Sequence, residues 1–282
     1  MSHVFSRLLL ATEHSEYDSG AESLALALAR RCGLPLAGVL PVVSNPEFEM
    51  VAPQLAARAD AQAAVKRQSL EALALAQGVA FTLHVRRGQE PFAEIVDAAD
   101  ELAADLIVIR RRGERGLLAN LLVGEMVSKV VSHAPCSVLI TPRGAQMWSR
   151  RVLVGLDPLQ PDVATLALAA DVANECALPL HLLCVIPGEA NRAAAQQVLA
   201  EALARVRDRC TRADGECRVG RPHEQLIAAA GTHEADLVVI GRHHAHNLDR
   251  AWIGGVAQKV IGLAECPVLV HVNPPALKAA TP

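Results

Sequence analysis

Aromatic residues make up only 2% of this 282-residue chain, which holds two Trp, one Tyr and four Phe. That scarcity removes the stacking platforms on which proteins hold single-stranded nucleic acid. A formal net charge of −3 gives no bulk attraction to nucleic acid or to an anionic membrane, so neither is expected as a partner. No apolar run approaches the roughly 18 residues of a membrane span. The opening segment, Met1 to Leu8, lacks the basic and apolar regions of a signal peptide. Seven cysteines are dispersed without a C-x-x-C pair, the pattern of buried reduced thiols. Together these absences lead to the expectation of a cytoplasmic protein.

What the chain has instead is repetition. Cys32-Gly33-Leu34-Pro35-Leu36 returns as Cys176-Ala177-Leu178-Pro179-Leu180, and Ala104-Asp105-Leu106-Ile107-Val108-Ile109 returns as Ala235-Asp236-Leu237-Val238-Val239-Ile240. Gly124 matches Gly254, and Cys136-Ser137-Val138-Leu139 matches Cys266-Pro267-Val268-Leu269. Ordered matches at so long a period mark a duplicated domain; solenoid repeats run about 20–50 residues. The two domains are placed at 1–143 and 150–273, joined by a linker over Pro142–Arg150. The first copy carries surplus residues after its second strand, which are assigned to the loop Ser44–Pro53.

Apolar runs alternate with helical patterns in both copies, which predicts βαβ units and a parallel sheet. The first copy reads as strands Ser6–Thr12, Leu36–Val43, Val79–Val85, Asp105–Ile109 and Ser137–Thr141, with helices over Ser19–Arg31, Leu55–Ala76, Pro91–Leu102 and Val123–His133. The second reads as strands Arg151–Leu156, Leu180–Ile186, Glu216–Val219, Leu237–Ile240 and Val268–His271, with helices over Asp162–Cys176, Glu189–Cys210, Pro222–Thr232 and Gly255–Leu263. The fold class is α/β: two tandem, doubly wound, five-stranded parallel-sheet domains of Rossmann-like form. Ligands in such sheets bind beyond the carboxyl ends of the strands, where strand order reverses.

Leu8-Leu9-Leu10-Ala11-Thr12-Glu13 and Val152-Leu153-Val154-Gly155-Leu156-Asp157 resemble the opening strand of the universal stress protein family, in which an Asp ends the strand. His133-Ala134-Pro135-Cys136-Ser137-Val138-Leu139 and Cys266-Pro267-Val268-Leu269-Val270 are similar to the approach to its last strand. The resemblance covers both copies and implies a tandem member whose halves pair as an intrachain pseudo-dimer, through their last strands. It also implies a stress-response regulatory module; with no positioned base or metal-ligand set in the sequence, no enzyme is expected. The nucleotide-binding branch carries G-x-x-G, nine residues, then G-S or G-T after strand four. Glycines there let amides approach phosphate, at a helix N-terminus that favours anions. In that branch the strand-one Asp and the end of strand two are associated with the adenosine part of ATP.

On that pattern the second copy keeps the spacing with Gly241, then His244 in place of the second Gly, then Gly254-Gly255 with no hydroxyl. Asp157 and Val185 are the implied contacts for base or ribose, and Gly241, Gly254 and Gly255 those for phosphate. The first copy departs further. Counting back from Gly124 puts Arg111 and Glu114 at the glycine positions, while keeping Gly113 leaves ten intervening residues. Glu13 takes the Asp place, and Glu125 follows Gly124, where a carboxylate would fill the anion site from within. ATP, or another phosphate-bearing molecule, is therefore expected in the second copy.

Arg110, Arg111, Arg112 and Arg115 form a dense basic loop that reads either as a replacement anion site or as a salt-bridged surface. His223, His233, His243, His244 and His246 match no closed zinc spacing, so no metal is expected. Glu13, His14 and Ser15 are too close in sequence to converge as a nucleophile set. Trp148 and Trp252 each read as packing or as cover for an interface or pocket. Two other functions stay open: a ligand-independent interaction adaptor with vestigial pockets, and a slow nucleotide hydrolase. Further pairing of two chains is also left open.

Overall fold

A computed structural model of the protein describes residues 3–13, 18–44, 50, 53–111, 124–242 and 253–273. The first half runs β1 (Leu8–Ala11), α1 (Ser19–Cys32), β2 (Leu36–Val43), α2 (Pro53–Ala76), β3 (Phe81–Gly88), α3 (Pro91–Glu101), β4 (Leu106–Arg110), α4 (Glu125–His133) and β5 (Ser137–Thr141). The second runs β6 (Val152–Leu156), α5 (Val163–Glu175), β7 (Leu180–Ile186), α6 (Arg192–Arg207), β8 (Ala213–Val219), α7 (Pro222–Thr232), β9 (Leu237–Gly241), α8 (Gly255–Leu263) and β10 (Val268–His271). A single 3₁₀ turn over Glu189–Asn191 precedes α6.

All ten strands join one sheet in the order β3-β2-β1-β4-β5-β10-β9-β6-β7-β8. Among the described residues, pairing inside each half is parallel and the sole antiparallel contact is β5 against β10. Leu139 lies opposite Leu269, its own counterpart in the repeat, so a pseudo-twofold axis passes between them. The predicted pairing through last strands is what the chain adopts.

The inner strands form because their apolar runs are covered on both faces, as parallel sheets require; β1 and β4 are buried almost end to end. Each face carries a core that crosses the junction. One joins Leu24 and Leu28 of α1 to Leu166 of α5 and Leu199 of α6. The other joins Ile95 of α3 and Val130 of α4 to Leu226 of α7 and Val260 of α8. The outer strands differ from the sequence reading: β3 ends at Gly88 and β8 begins at Ala213. Both carry charged residues on a half-exposed surface, so no apolar run marks their limits. The loop assigned the surplus residues lies mostly outside the described positions; the surplus that is visible lengthens α2, 24 residues against 16 in α6.

Two devices recur because the sequence recurs. Asp105 accepts the N–H groups of Ser6 at 2.7 Å and Arg7 at 3.0 Å, fixing the approach to β1. Asp236 does the same for Ser149 at 2.7 Å and Arg151 at 3.1 Å before β6. Trp148, in the linker, is packing: it is buried in the core and donates Nε1–H to Cys176 Sγ at 3.2 Å.

The second device crosses the junction. Arg111 Nη1 donates to the carbonyls of Ile261, Gly262 and Ala264 at 3.1, 3.0 and 2.5 Å, at the end of α8. Arg242 Nη1 returns the contact to Val131, Ser132 and Ala134 at 3.3, 3.1 and 3.5 Å, at the end of α4. Each guanidinium thus satisfies orphan carbonyls and the negative helix end of the opposite half. Arg111→Met and Arg242→Met should each destabilise the fold by about 2 kcal/mol. The measurement is the urea midpoint at unchanged m value; no shift in either variant would remove the arginines from the account of the junction.

Candidate functional site

Strand order reverses between β1 and β4 in the first half and between β6 and β9 in the second. Doubly wound sheets place their clefts at these points. The two positions are equivalent in the fold and opposite in content.

In the second half a cavity of about 610 Å³ opens there, lined among others by Asp157, Val185, Gly241, Arg242, Gly254 and His271. The expected contacts Asp157, Val185, Gly241 and Gly254 are thereby brought together. Gly255 begins α8 beside them, after Gly254 at φ −61° and ψ 144°. His244 lies outside the described residues. The Gly254 amide donates to Arg242 O at 3.0 Å, so the residue can border an anion there without offering it this N–H. The first helical bond runs from Gln258 N–H to Gly254 O. The N–H groups of Gly255, Val256 and Ala257 therefore have no acceptor within the helix, and Val256 and Ala257 line the cavity. An anion would meet those three donors and the positive end of α8.

The carboxylates and imidazole of this cavity are committed locally. Asp157 Oδ1 accepts Leu159 N–H at 2.9 Å, closing a turn at Pro158. Asp162 caps α5, accepting Ala164 and Thr165 N–H at 3.0 and 3.1 Å. His271 Nε2 pairs with Asn273 at 3.0 Å, and its Nδ1 lies 3.3 Å from Ser137 Oγ of β5. Burial lowers the His271 pKa and keeps the ring neutral. His271 was not singled out from the sequence, because its counterpart in the first half, Thr141, gives no hint of a polar wall.

In the first half the equivalent space has shrunk to about 10 Å³. Arg110 ends β4 opposite Thr141, just as Gly241 ends β9 opposite His271. The amides of Arg111 and Arg242 then bind Thr141 O and His271 O alike. Arg110, not Arg111, is therefore the structural counterpart of Gly241, and the count back from Gly124 is corrected by one position. Arg111 is corrected in role as well, since it faces the α8 end across the junction.

The Arg110 side chain fills its own pocket, with Nε 2.5 Å from Asp18 Oδ1 and Nη2 3.8 Å from Glu13 Oε2. Asp18 Oδ2 also accepts Glu13 N–H at 2.5 Å and lies 3.2 Å from Thr12 Oγ1. Thr12 reaches Glu22 at 2.6 Å, and Lys66 Nζ closes the network at 2.5 Å from Glu22. Glu125 does not occupy the anion site: it is exposed and pairs with Lys129 at 3.0 Å. Gly124 begins α4 at φ −52° and ψ 141°, matching Gly254. Gly113, Glu114, Arg112, Arg115, His14, Ser15 and Trp252 lie outside the described residues.

All seven cysteines are free thiols. Burial pushes Cys136 and Cys184 up to about 12 and Cys32 and Cys266 up to about 11, away from thiolate character.

This arrangement defines a tandem doubly wound α/β protein with one open switch-point cleft and one filled by its own side chains. The universal stress protein family model matches residues 5–142 and 149–271, and the chain belongs to that family. A universal stress protein of Mycobacterium tuberculosis is 23% identical over 248 residues, 80% of this chain and 82% of its own length. The crystal structure of a universal stress protein from Archaeoglobus fulgidus superposes with a TM-score of 0.71 at 18% identity, covering 97% of this chain and 98% of that one. A Pseudomonas aeruginosa protein of unknown function gives 0.68 at 18% identity, covering 95% and 92%. Among the described residues no helix is long and apolar enough to cross a membrane.

Removing Arg110 should strand buried carboxylates. Arg110→Ala is expected to destabilise the protein by about 3 kcal/mol, with Asp18→Asn in the same chain restoring part of the loss. Denaturant unfolding of the single and double variants measures both; additive losses would mean that the two side chains do not act as a pair.

Proposed function

We propose that this chain is a non-catalytic regulatory module that binds ATP or a related phosphate-bearing small molecule in its second half. The contrast between the two switch points carries the reading: about 610 Å³ beside the amides of α8, against about 10 Å³ behind Arg110. In the bound state Asp157 and Val185 face the base or ribose, while Gly241, Gly254 and Gly255 lie around the phosphates. Glycine at the end of β9 leaves room for that approach, and arginine at the end of β4 does not.

Binding without turnover is supported by the way the cavity's polar groups are held. Asp157 closes a turn, Asp162 caps a helix and neutral His271 is fixed between Asn273 and Ser137. A general base must be able to reach a reacting proton, and these groups are spent on their own backbone or neighbours. The adaptor reading draws on one observation: Asp157 and Asp162 add two carboxylates to the cavity wall, which oppose a polyphosphate.

A thermal-shift series with ATP, ADP, AMP and cyclic dinucleotides, each with and without Mg²⁺, tests the proposal. Ligand at a hundred times its Kd should stabilise the chain by about 2.7 kcal/mol. Gly254→Glu, which fits the observed backbone angles and sets a carboxylate among the amides, should abolish that gain. No shift at millimolar ligand would favour the adaptor. Phosphate release above the Gly254→Glu control would make the protein a hydrolase.

A further inference from the structure

A second polar cluster lies at the opposite end of the second half from the switch-point cavity. His181 stands near the start of β7, a strand buried along its whole length. Its side chain is 4% exposed, yet its Nε2 has no hydrogen-bond partner. Around it stand Glu216 of β8 and His233, which follows α7.

The protonation pattern follows from the partners. Asp214 Oδ1 lies 2.5 Å from His181 Nδ1, and an ionised carboxylate only accepts, so the proton sits on Nδ1. The neutral ring then carries a lone pair on Nε2, which faces Glu216 Oε1 at 3.5 Å. The buried Nε2 is thus left without a donor, while Glu216 Oε1, on a side chain 36% exposed, is already engaged by Arg218 at 2.8 Å. His233 Nε2 lies 2.9 Å from the same Glu216 oxygen, and the two imidazoles stack with centroids 3.9 Å apart.

We propose that His181 Nε2, Glu216 and His233 Nε2 form a site for one borderline divalent cation of the Zn²⁺ class. The three donor atoms lie within 4.8 Å of one another. Tetrahedral ligands at about 2.0–2.1 Å from zinc stand about 3.4 Å apart. The His181–Glu216 separation of 3.5 Å already suits that geometry; the His233–Glu216 contact of 2.9 Å has to open, and the stacked rings have to turn so that both Nε2 lone pairs meet at one point. Two imidazoles and a carboxylate form a donor set that zinc uses with a fourth position left open.

The outer partners are in place too. Asp214 orients His181 through Nδ1 and is itself held by Arg151 Nη1 at 3.2 Å. Arg218 donates to Glu216 Oε1 from Nε at 2.8 Å, as ligating carboxylates are commonly hydrogen-bonded from outside. The bound ion ties β7, β8 and the end of α7 together. Pro222, at the start of α7, lines the nucleotide cavity, so the ion braces one wall of it from below.

The full chain, stripped with chelator and titrated with Zn²⁺ or Co²⁺, should take up about one ion per chain. His233→Ala and Glu216→Gln should each weaken that uptake at least tenfold, and Asp214→Asn by about 10- to 100-fold. Imidazole nitrogen spectra of the unmutated chain should show Zn²⁺ moving Nε2 of His181 and His233 while His181 keeps its Nδ1 proton. Those spectra decide the matter if a variant fails to fold. No uptake, uptake unchanged in His233→Ala, or an unmoved His181 Nε2 would overturn the site; an ion held by His243, His244 or His246 would produce the second of these.

Discussion

The antiparallel pairing of β5 with β10 is the constraint on which the rest of the molecule depends. It turns two five-stranded sheets into one and lets each face carry a core drawn from both halves. It also sets the end of each fourth strand against the last turn of the other half's final helix. Arg111 and Arg242 can reach across only because the axis runs between Leu139 and Leu269. An isolated half would lose its partner strand and leave three carbonyls without their arginine. The junction is thus part of the folding unit.

Joining the halves in one chain frees them from identity. Two identical subunits would present the same cleft twice, whereas a tandem chain can keep one and surrender the other. The divergence turns on one position, the last residue of the fourth strand in each half. Glycine there leaves a cavity, and arginine there reaches back to Asp18 and Glu13 and fills it. The rest of the first-half network, through Thr12, Glu22 and Lys66, secures the filled state.

The parallel βαβ organisation could be read from residues because the inner strands are apolar on both faces and the repeat aligns them; the joining edge came from the family resemblance. Gly241 and Gly254 could be placed at one cleft because their spacing in the second copy is kept, while Asp157 and Val185 were implied by the resemblance. The first copy was harder. Its loop differs in length, so counting from Gly124 shifts the arginines by one, and only the pairing of Arg110 with Thr141 fixes the register. The role of Arg111 was hidden because its acceptors are main-chain carbonyls, which leave no trace in residue type. His181 gave no signal either, since a lone histidine within an apolar strand has no spacing to reveal its neighbours on β8 and after α7. The limits of β3 and β8 were missed for the simplest reason: boundary strands are not hydrophobic enough to announce themselves.

Those two outermost strands have a consequence for how the protein behaves in a crowded solution. Each leaves a row of main-chain donors and acceptors on its outer side, which would template the addition of another chain. Both are studded with charge, Arg86 and Arg87 on one and Asp214, Glu216 and Arg218 on the other. Charged boundary strands resist such growth. One of these charged residues, Glu216, is also the carboxylate of the proposed cation site.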